Sequence, residues 1–183
     1  MQITDKKYLN ELKTEVTNID ELLQSYFNKQ QKNNLDFRVK TSAVFSSNIE
    51  GNSIDVSSFM NSEIAKESFK PINEIEEIND LIKAYKFAID NPLNEQNLLK
   101  AHHLLSKTLL IKGKQGVYRT DRMGVYDNSG LVYLAVEPEK VKTEITLFFK
   151  DLKELLDAEL STLEVFYHAS IIHLKLAQIH PFW

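Results

Sequence analysis

Along most of this chain apolar residues recur three and four positions apart, and only between Gly116 and Glu137 does that spacing change. Side chains three and four apart share one face of an α-helix, whereas a spacing of two belongs to a strand. The pattern therefore predicts a packed set of helices with one short β excursion, an all-α fold class carrying a single hairpin. Five glycines and four prolines in 183 residues agree with long helices and few turns. The length suits one domain with a substantial core.

Tyr8, Leu9, Leu12, Val16, Ile19, Leu22, Leu23, Tyr26 and Phe27 predict a first helix over about 5–28. Gln30 to Asn34 breaks it, and Asn34 is a candidate cap for the next helix. That second helix is expected from 35 to about 50, its face formed by Leu35, Val39, Phe45 and Ile49 and its end set by Gly51-Asn52. Asp55 is placed to cap a third helix over about 56–69, which Pro71 ends. Ile72, Ile75, Ile78, Leu81, Ile82, Tyr85 and Ile89 mark a fourth. Asn94 starts a fifth, running through Leu98, Leu99, Leu105 and Leu109 to a stop at Gly113.

Val125-Tyr126 and Leu131-Val132-Tyr133-Leu134 flank the turn cluster Asp127-Asn128-Ser129-Gly130, which reads as a hairpin. An isolated hairpin is marginally stable, so it must rest on helices with at least one edge open. It is either a surface excursion without a role or an edge that adds a peptide strand. Glu137-Pro138 begins a sixth helix, with Val141, Ile145, Phe148, Phe149, Leu152, Leu155 and Leu156 on its face. Ser161-Thr162-Leu163-Glu164 is a capping box that opens the last helix, which continues to His180. The chain divides into an N-terminal helix (1–34), a helix pair (35–70) and a core (71–183).

The net charge of −4 and the absence of a basic stripe give no reason to expect nucleic acid. Without cysteine there are neither disulfides nor thiolate metal sites. No membrane span and no leader segment is evident, so a cytoplasmic location is the expectation. His102 and His103 are adjacent and point apart, while His173 with His180, and Glu164 with His168, share helix faces without a third ligand. Packing or surface histidines are the expectation, and no glycine-rich phosphate loop is present.

Two places break local rules. Glu50 puts a carboxylate at the negative end of a helix, at a cost of roughly 0.3–1 kcal/mol, behind the mediocre helix formers Ser46, Ser47 and Asn48. By position alone it reads as a solvated side chain, yet local rules tend to fail at functional sites. The other place is His180, which the adjoining Pro181 pushes out of the α region at the mouth of a loop. The chain then ends on Phe182-Trp183. An aromatic pair with nothing after it to cover it reads as a cut.

Three stretches together resemble the Fic family. Ile179-His180-Pro181-Phe182 matches the start of its signature HPFx(D/E)GNGRxxR, Ser46-Ser47-Asn48-Ile49-Glu50-Gly51-Asn52 matches its inhibitory motif (S/T)xxxE(G/N), and Gly116-Val117-Tyr118-Arg119-Thr120 resembles the turn before its flap. The resemblance runs from about Leu35 to Trp183. It implies a Fic-fold helical bundle with a β-hairpin flap, and transfer of AMP from Mg-ATP to a Ser, Thr or Tyr hydroxyl of a target protein. His180 would be the base that takes the hydroxyl proton as the oxygen attacks phosphorus, since an imidazole changes charge near neutral pH. Pro181 and Phe182 would be the signature remainder. Met123, Gly124, Val125 and Tyr126 would form the flap that holds the target in extended form beside the nucleotide. Glu50, with Ser46 one turn earlier and Gly51 after it, would be the inhibitory switch, engaging the second signature arginine that otherwise holds the γ-phosphate.

The departures matter too. The signature's metal-binding acid is expected beyond Trp183, with the GNG anion cradle and both arginines, so no metal ligand is assigned within these residues. A polypeptide of these 183 residues alone is expected to present the base, to hold no nucleotide and to be inactive. The flap lacks the double proline often seen in the family and keeps only Pro138. Two alternatives stand beside this reading. One is a shortened Fic-like module that only binds a partner. The other is a Fic enzyme of different outcome, removing AMP, transferring UMP or phosphocholine, or acting as a toxin held off by Glu50.

Overall fold

The computed structural model describes residues 2–29, 35–65 and 72–183, with backbone alone at 26–29. Among them are eight helices, α1 (Leu9–Glu15), α2 (Ile19–Lys29), α3 (Leu35–Ile49), α4 (Val56–Ile64), α5 (Ile72–Asp90), α6 (Glu95–Leu105), α7 (Pro138–Leu156) and α8 (Thr162–Ile179). Strands β1 (Gly124–Asp127) and β2 (Gly130–Leu134) form one antiparallel hairpin. The fold is thus all-α with a single β-hairpin. No described helix is long and apolar enough to cross a membrane. The helix expected over 56–69 stops at Ile64, where Ala65 leaves the helical conformation with φ −109° and ψ 50°, while the expected cap Asn34 and residues 66–71 lie outside the described residues.

The residues group into two compact units, 2–29 with 118–183, and 35–117 without 66–71. In the first, α7 presents Val141, Ile145, Phe148 and Leu152 to Tyr167, Ile171 and Ile179 of α8, with Ile3 and Leu9 completing the core. The Ser161–Glu164 capping box forms with both of its reciprocal bonds. Glu164 also takes Lys6 at 2.9 Å, and the buried His168 meets the carbonyl of Ile3 through Nδ1 at 2.9 Å. These contacts tie the N-terminal segment to α8. The single helix expected over 5–28 is two. Val16 takes an extended conformation, φ −120° and ψ 92°, where two β-branched residues and Asn18 give the helix its weakest run.

In the second unit, α5 packs against both α3 and α6. Its core is Val39, Ala43, Val44, Ile54, Phe59, Ile78 and Ile82. Asp55 caps α4 by accepting from Ser58 N–H at 2.8 Å, and Asn94 caps α6. Helix α6 stops at Leu105, short of the expected Gly113, with a one-turn 3₁₀ segment at Lys112–Lys114. Buried Asp80 accepts from the N–H and hydroxyl of Thr108, at 3.1 and 2.8 Å, and so anchors the chain just after α6.

Of the face expected for α3, only Val39 is buried. Its buried positions are Val39, Ala43, Val44 and Ser47, whereas Phe45 and Ile49 are 64% and 84% exposed. Ser47 can be buried because its hydroxyl donates to Glu77 Oε1 at 2.5 Å. A paired polar group displaces apolar ones that surface helices commonly leave in water.

Candidate functional site

Residues 46–52, where an inhibitory motif is expected, lie in the second unit and are held by polar side chains. Ser46 Oγ meets Tyr85 Oη at 2.6 Å. Asn48 Nδ2 donates to the carbonyls of Asn52 and Ile54. Asn52 Nδ2 donates to the Glu74 carbonyl at 3.0 Å, and its Oδ1 accepts from Ile54 N–H. Gly51 turns the chain with φ +100°, open to a glycine without strain. Glu50 is just past the last helical residue and exposed, and its carboxylate meets no partner among the described residues. This hydrogen-bonded segment leaves the Glu50 carboxylate in solvent.

The base candidate lies in the first unit. His180 caps α8 in the left-handed conformation, φ 47° and ψ 63°. It is the one non-glycine residue with positive φ among those described. That conformation costs roughly 1–2 kcal/mol for an L side chain, so its neighbours must hold it. The expectation that Pro181 displaces His180 from the α region is borne out. Pro181 is buried, and its carbonyl accepts from Arg119 N–H at 2.9 Å. Phe182 stacks on Tyr118 with centroids 5.6 Å apart, and Trp183 Nε1 donates to Asp121 Oδ2 at 2.8 Å. The aromatic pair, expected to lack cover, thus packs on residues far earlier in the chain.

The hairpin sits against this loop. Tyr133 Oη donates to the Gln178 carbonyl at 2.5 Å. The Met123 carbonyl accepts from Ala135 N–H at 3.0 Å, which closes the hairpin base. Gly124 is pressed against β2, where an added Cβ would lie 2.7 Å from Leu131 Cδ1 and 3.0 Å from the Tyr133 carbonyl. Val125 pairs with Tyr133 and Tyr126 with Leu131, the register slipping between them. Such a bulge increases local twist. Tyr126, Val132 and Leu134 are more than half exposed, and among the described residues neither outer edge of the two-stranded sheet is paired.

A side chain the sequence did not single out joins these parts. Arg119 is 2% exposed and donates to four carbonyls, those of Asp121, Val136, Ile179 and His180. Burial pulls its pKa below the ordinary value, with Tyr133 opposing. Its only signal was an arginine beside the pre-flap turn. The structure therefore brings together His180, Pro181 and Phe182 with Met123 to Tyr126 in one unit, while Ser46, Glu50 and Gly51 belong to the other. Among the described residues no three His, Asp or Glu side chains cluster as a metal site.

Comparison with known proteins places this geometry. The family model described as Fic/DOC family matches residues 92–183, half of the chain. A Fic family protein from Desulfovibrio desulfuricans G20 aligns with TM-score 0.65 and 22% identity over 94% of this chain and 49% of its own. A Fic domain containing signaling protein from Bacteroides thetaiotaomicron VPI-5482 aligns with TM-score 0.63 and 18% identity, over 97% of this chain and 65% of its own. At such identities the likeness is one of fold, and the chain spans from about half to about two thirds of the length of those proteins. No curated protein sequence matches. The family match runs over the hairpin, α7, α8 and the loop that ends at Trp183, and this chain belongs to the Fic/DOC family.

Proposed function

We propose that this chain carries the base, the target-binding hairpin and the inhibitory motif of a protein adenylyltransferase, which moves AMP from Mg-ATP to a target hydroxyl. The observation that carries the reading is His180 in a strained conformation beside a hairpin with open edges. A target segment would add to the hairpin as a further strand through its backbone N–H and C=O groups. Its Ser, Thr or Tyr side chain would then lie near His180, which takes the hydroxyl proton as the oxygen bonds phosphorus and pyrophosphate leaves.

The described residues do not fit Mg²⁺ or a triphosphate. They offer no carboxylate cluster, and the buried Arg119 already donates to backbone carbonyls. Among the described residues, Met123 to Tyr126 of the hairpin would lie beside the nucleotide, and no cluster is assigned to its phosphates. The exposed and unpartnered Glu50 suits the role of an inhibitory carboxylate that pairs with an arginine of the nucleotide site.

The test is transfer of labelled AMP to protein by a chain that contains the whole signature and carries Glu50→Gly. Transfer lost on His180→Ala supports the reading. Incorporation from another donor, such as UTP or a phosphocholine compound, would move it to another Fic chemistry. Labelling that survives His180→Ala would overturn the role of the base. The exposed apolar hairpin favours a second reading, a module that binds a partner without transfer. That reading predicts partner capture abolished by Val132→Lys and untouched by His180→Ala.

A further inference from the structure

Arg119 is the one buried lysine or arginine among the described residues, and no carboxylate pairs with it. Nε donates to His180 O at 2.6 Å, Nη1 to Asp121 O at 2.7 Å, and Nη2 to Val136 O at 2.5 Å and Ile179 O at 3.2 Å. Its main-chain N–H adds Pro181 O at 2.9 Å. A buried cation neutralised only by carbonyl dipoles is costly unless its donors are used, and here four of the five guanidinium N–H groups find acceptors, from three separate segments. Asp121 precedes β1, Val136 follows β2, and Ile179 to Pro181 form the end of α8 and its loop.

We infer that Arg119 is the positioning residue that sets the His180 imidazole in register with the hairpin. The last carbonyls of a helix have no partner within it and sit at its negative end, so a guanidinium there holds them well. Holding the carbonyls of His180 and Pro181 fixes ψ at His180, and with it the left-handed turn that aims the side chain. The same guanidinium holds Asp121 and Val136 on either side of the Met123–Ala135 pair. The hairpin and the base therefore move together, and Tyr133 Oη on Gln178 O is a second, smaller tie. Lysine cannot replace the arginine, because one ammonium cannot span acceptors set so far apart.

This role rests on the transfer reading. A strand bound to the hairpin must bring its hydroxyl to hydrogen-bond distance from His180, and a misplacement of about 1 Å can slow such a step about 100-fold. In the signature-complete protein carrying Glu50→Gly, Arg119→Lys should lower kcat roughly 10- to 100-fold and leave the KM for ATP unchanged. The milder Tyr133→Phe should lower kcat a few-fold in the same pattern. Labelled-histidine NMR spectra of the same variants provide a readout independent of activity. The His180 ring resonance should shift or broaden, while those of His102 and His103 stay in place. An Arg119→Lys protein with unchanged kcat and an unmoved His180 resonance overturns the proposal. Should Arg119→Lys not fold, Tyr133→Phe decides on the same two readouts. If the parent transfers no nucleotide at all, the transfer reading fails, and the resonance of His180 alone decides whether Arg119 positions it.

Discussion

Acid should destabilise the second unit through one side chain, His102. It is 7% exposed on α6, and its Nδ1 accepts the N–H of Gly116 at 3.0 Å. Burial, with a smaller contribution from the neighbouring His103, pulls its pKa from 6.5 down to about 4. In the unfolded chain the imidazole regains its ordinary value. Between those two values the unfolded state binds a proton that the folded state refuses, so stability rises with pH. The contribution is fully present above about pH 6.5 and is lost as pH falls through about 4. At 1.36 kcal/mol per pKa unit the whole effect is about 3 kcal/mol, of which about 2 kcal/mol is gone by pH 5. That is a large share of the roughly 5–15 kcal/mol that holds a typical domain folded. Urea unfolding followed by circular dichroism, repeated from pH 8 to pH 5, reads it directly. His102→Gln keeps an acceptor for Gly116 but cannot titrate, so its curve should be flatter than wild type by that amount. Exposed His103→Gln should remove only the smaller part of the slope, since burial is the larger cause of the His102 shift. A wild-type curve that is flat over this range, or a His102→Gln curve just as steep, would refute the argument.

Three further outcomes are expected. Lys6 first, and then the Ser161 hydroxyl and N–H, hold Glu164 down to about 2. Its stabilisation is present above its ordinary 4.5 and lost as pH falls through about 2, so wild type should lose more melting temperature than Glu164→Gln between pH 5 and pH 2.5. Gly116→Ala meets a φ of +68° and places a Cβ 2.7 Å from His103 Cβ and 2.8 Å from the Leu99 carbonyl. Gly51→Ala has a φ of +100° and open space. Both should lose about 1–2 kcal/mol for the backbone, and thermal melts should show the Gly116 variant losing clearly more. Phe59→Ala, at a fully buried site, should cost about 3–5 kcal/mol. Phe45→Ala, at 64% exposure, should stay within about 0.5 kcal/mol, and equal losses in urea would mean that the face assigned to α3 is wrong.

Much of the architecture was legible because it rests on local chemistry. The Ser161 capping box, the caps at Asp55 and Asn94, Pro138 at the start of α7 and the Asp127–Gly130 turn each act within a few residues, and all are found where the sequence places them. The exit of His180 from the right-handed helix was legible for the same reason, since a proline disfavours that conformation in the residue before it. Three features were not. The break between α1 and α2 reflects a balance of small propensities. The buried face of α3 was misjudged because Ser47 is internal only by virtue of Glu77, thirty positions away. Arg119 looked like any arginine beside a turn, because its acceptors are main-chain carbonyls, which carry no side-chain signal.

What the sequence by itself determined was the class of fold, the order of its elements and the family. Those follow from periodicity, caps and short motifs, all written over spans of a few residues. What only the tertiary structure decided was how His180 is held and what the hairpin is attached to. The left-handed turn, the stack of Phe182 on Tyr118 and three of the five carbonyls gathered around Arg119 depend on residues some sixty positions apart meeting in space. Such contacts form only once burial has removed water from the competition for those groups, and no local pattern records them.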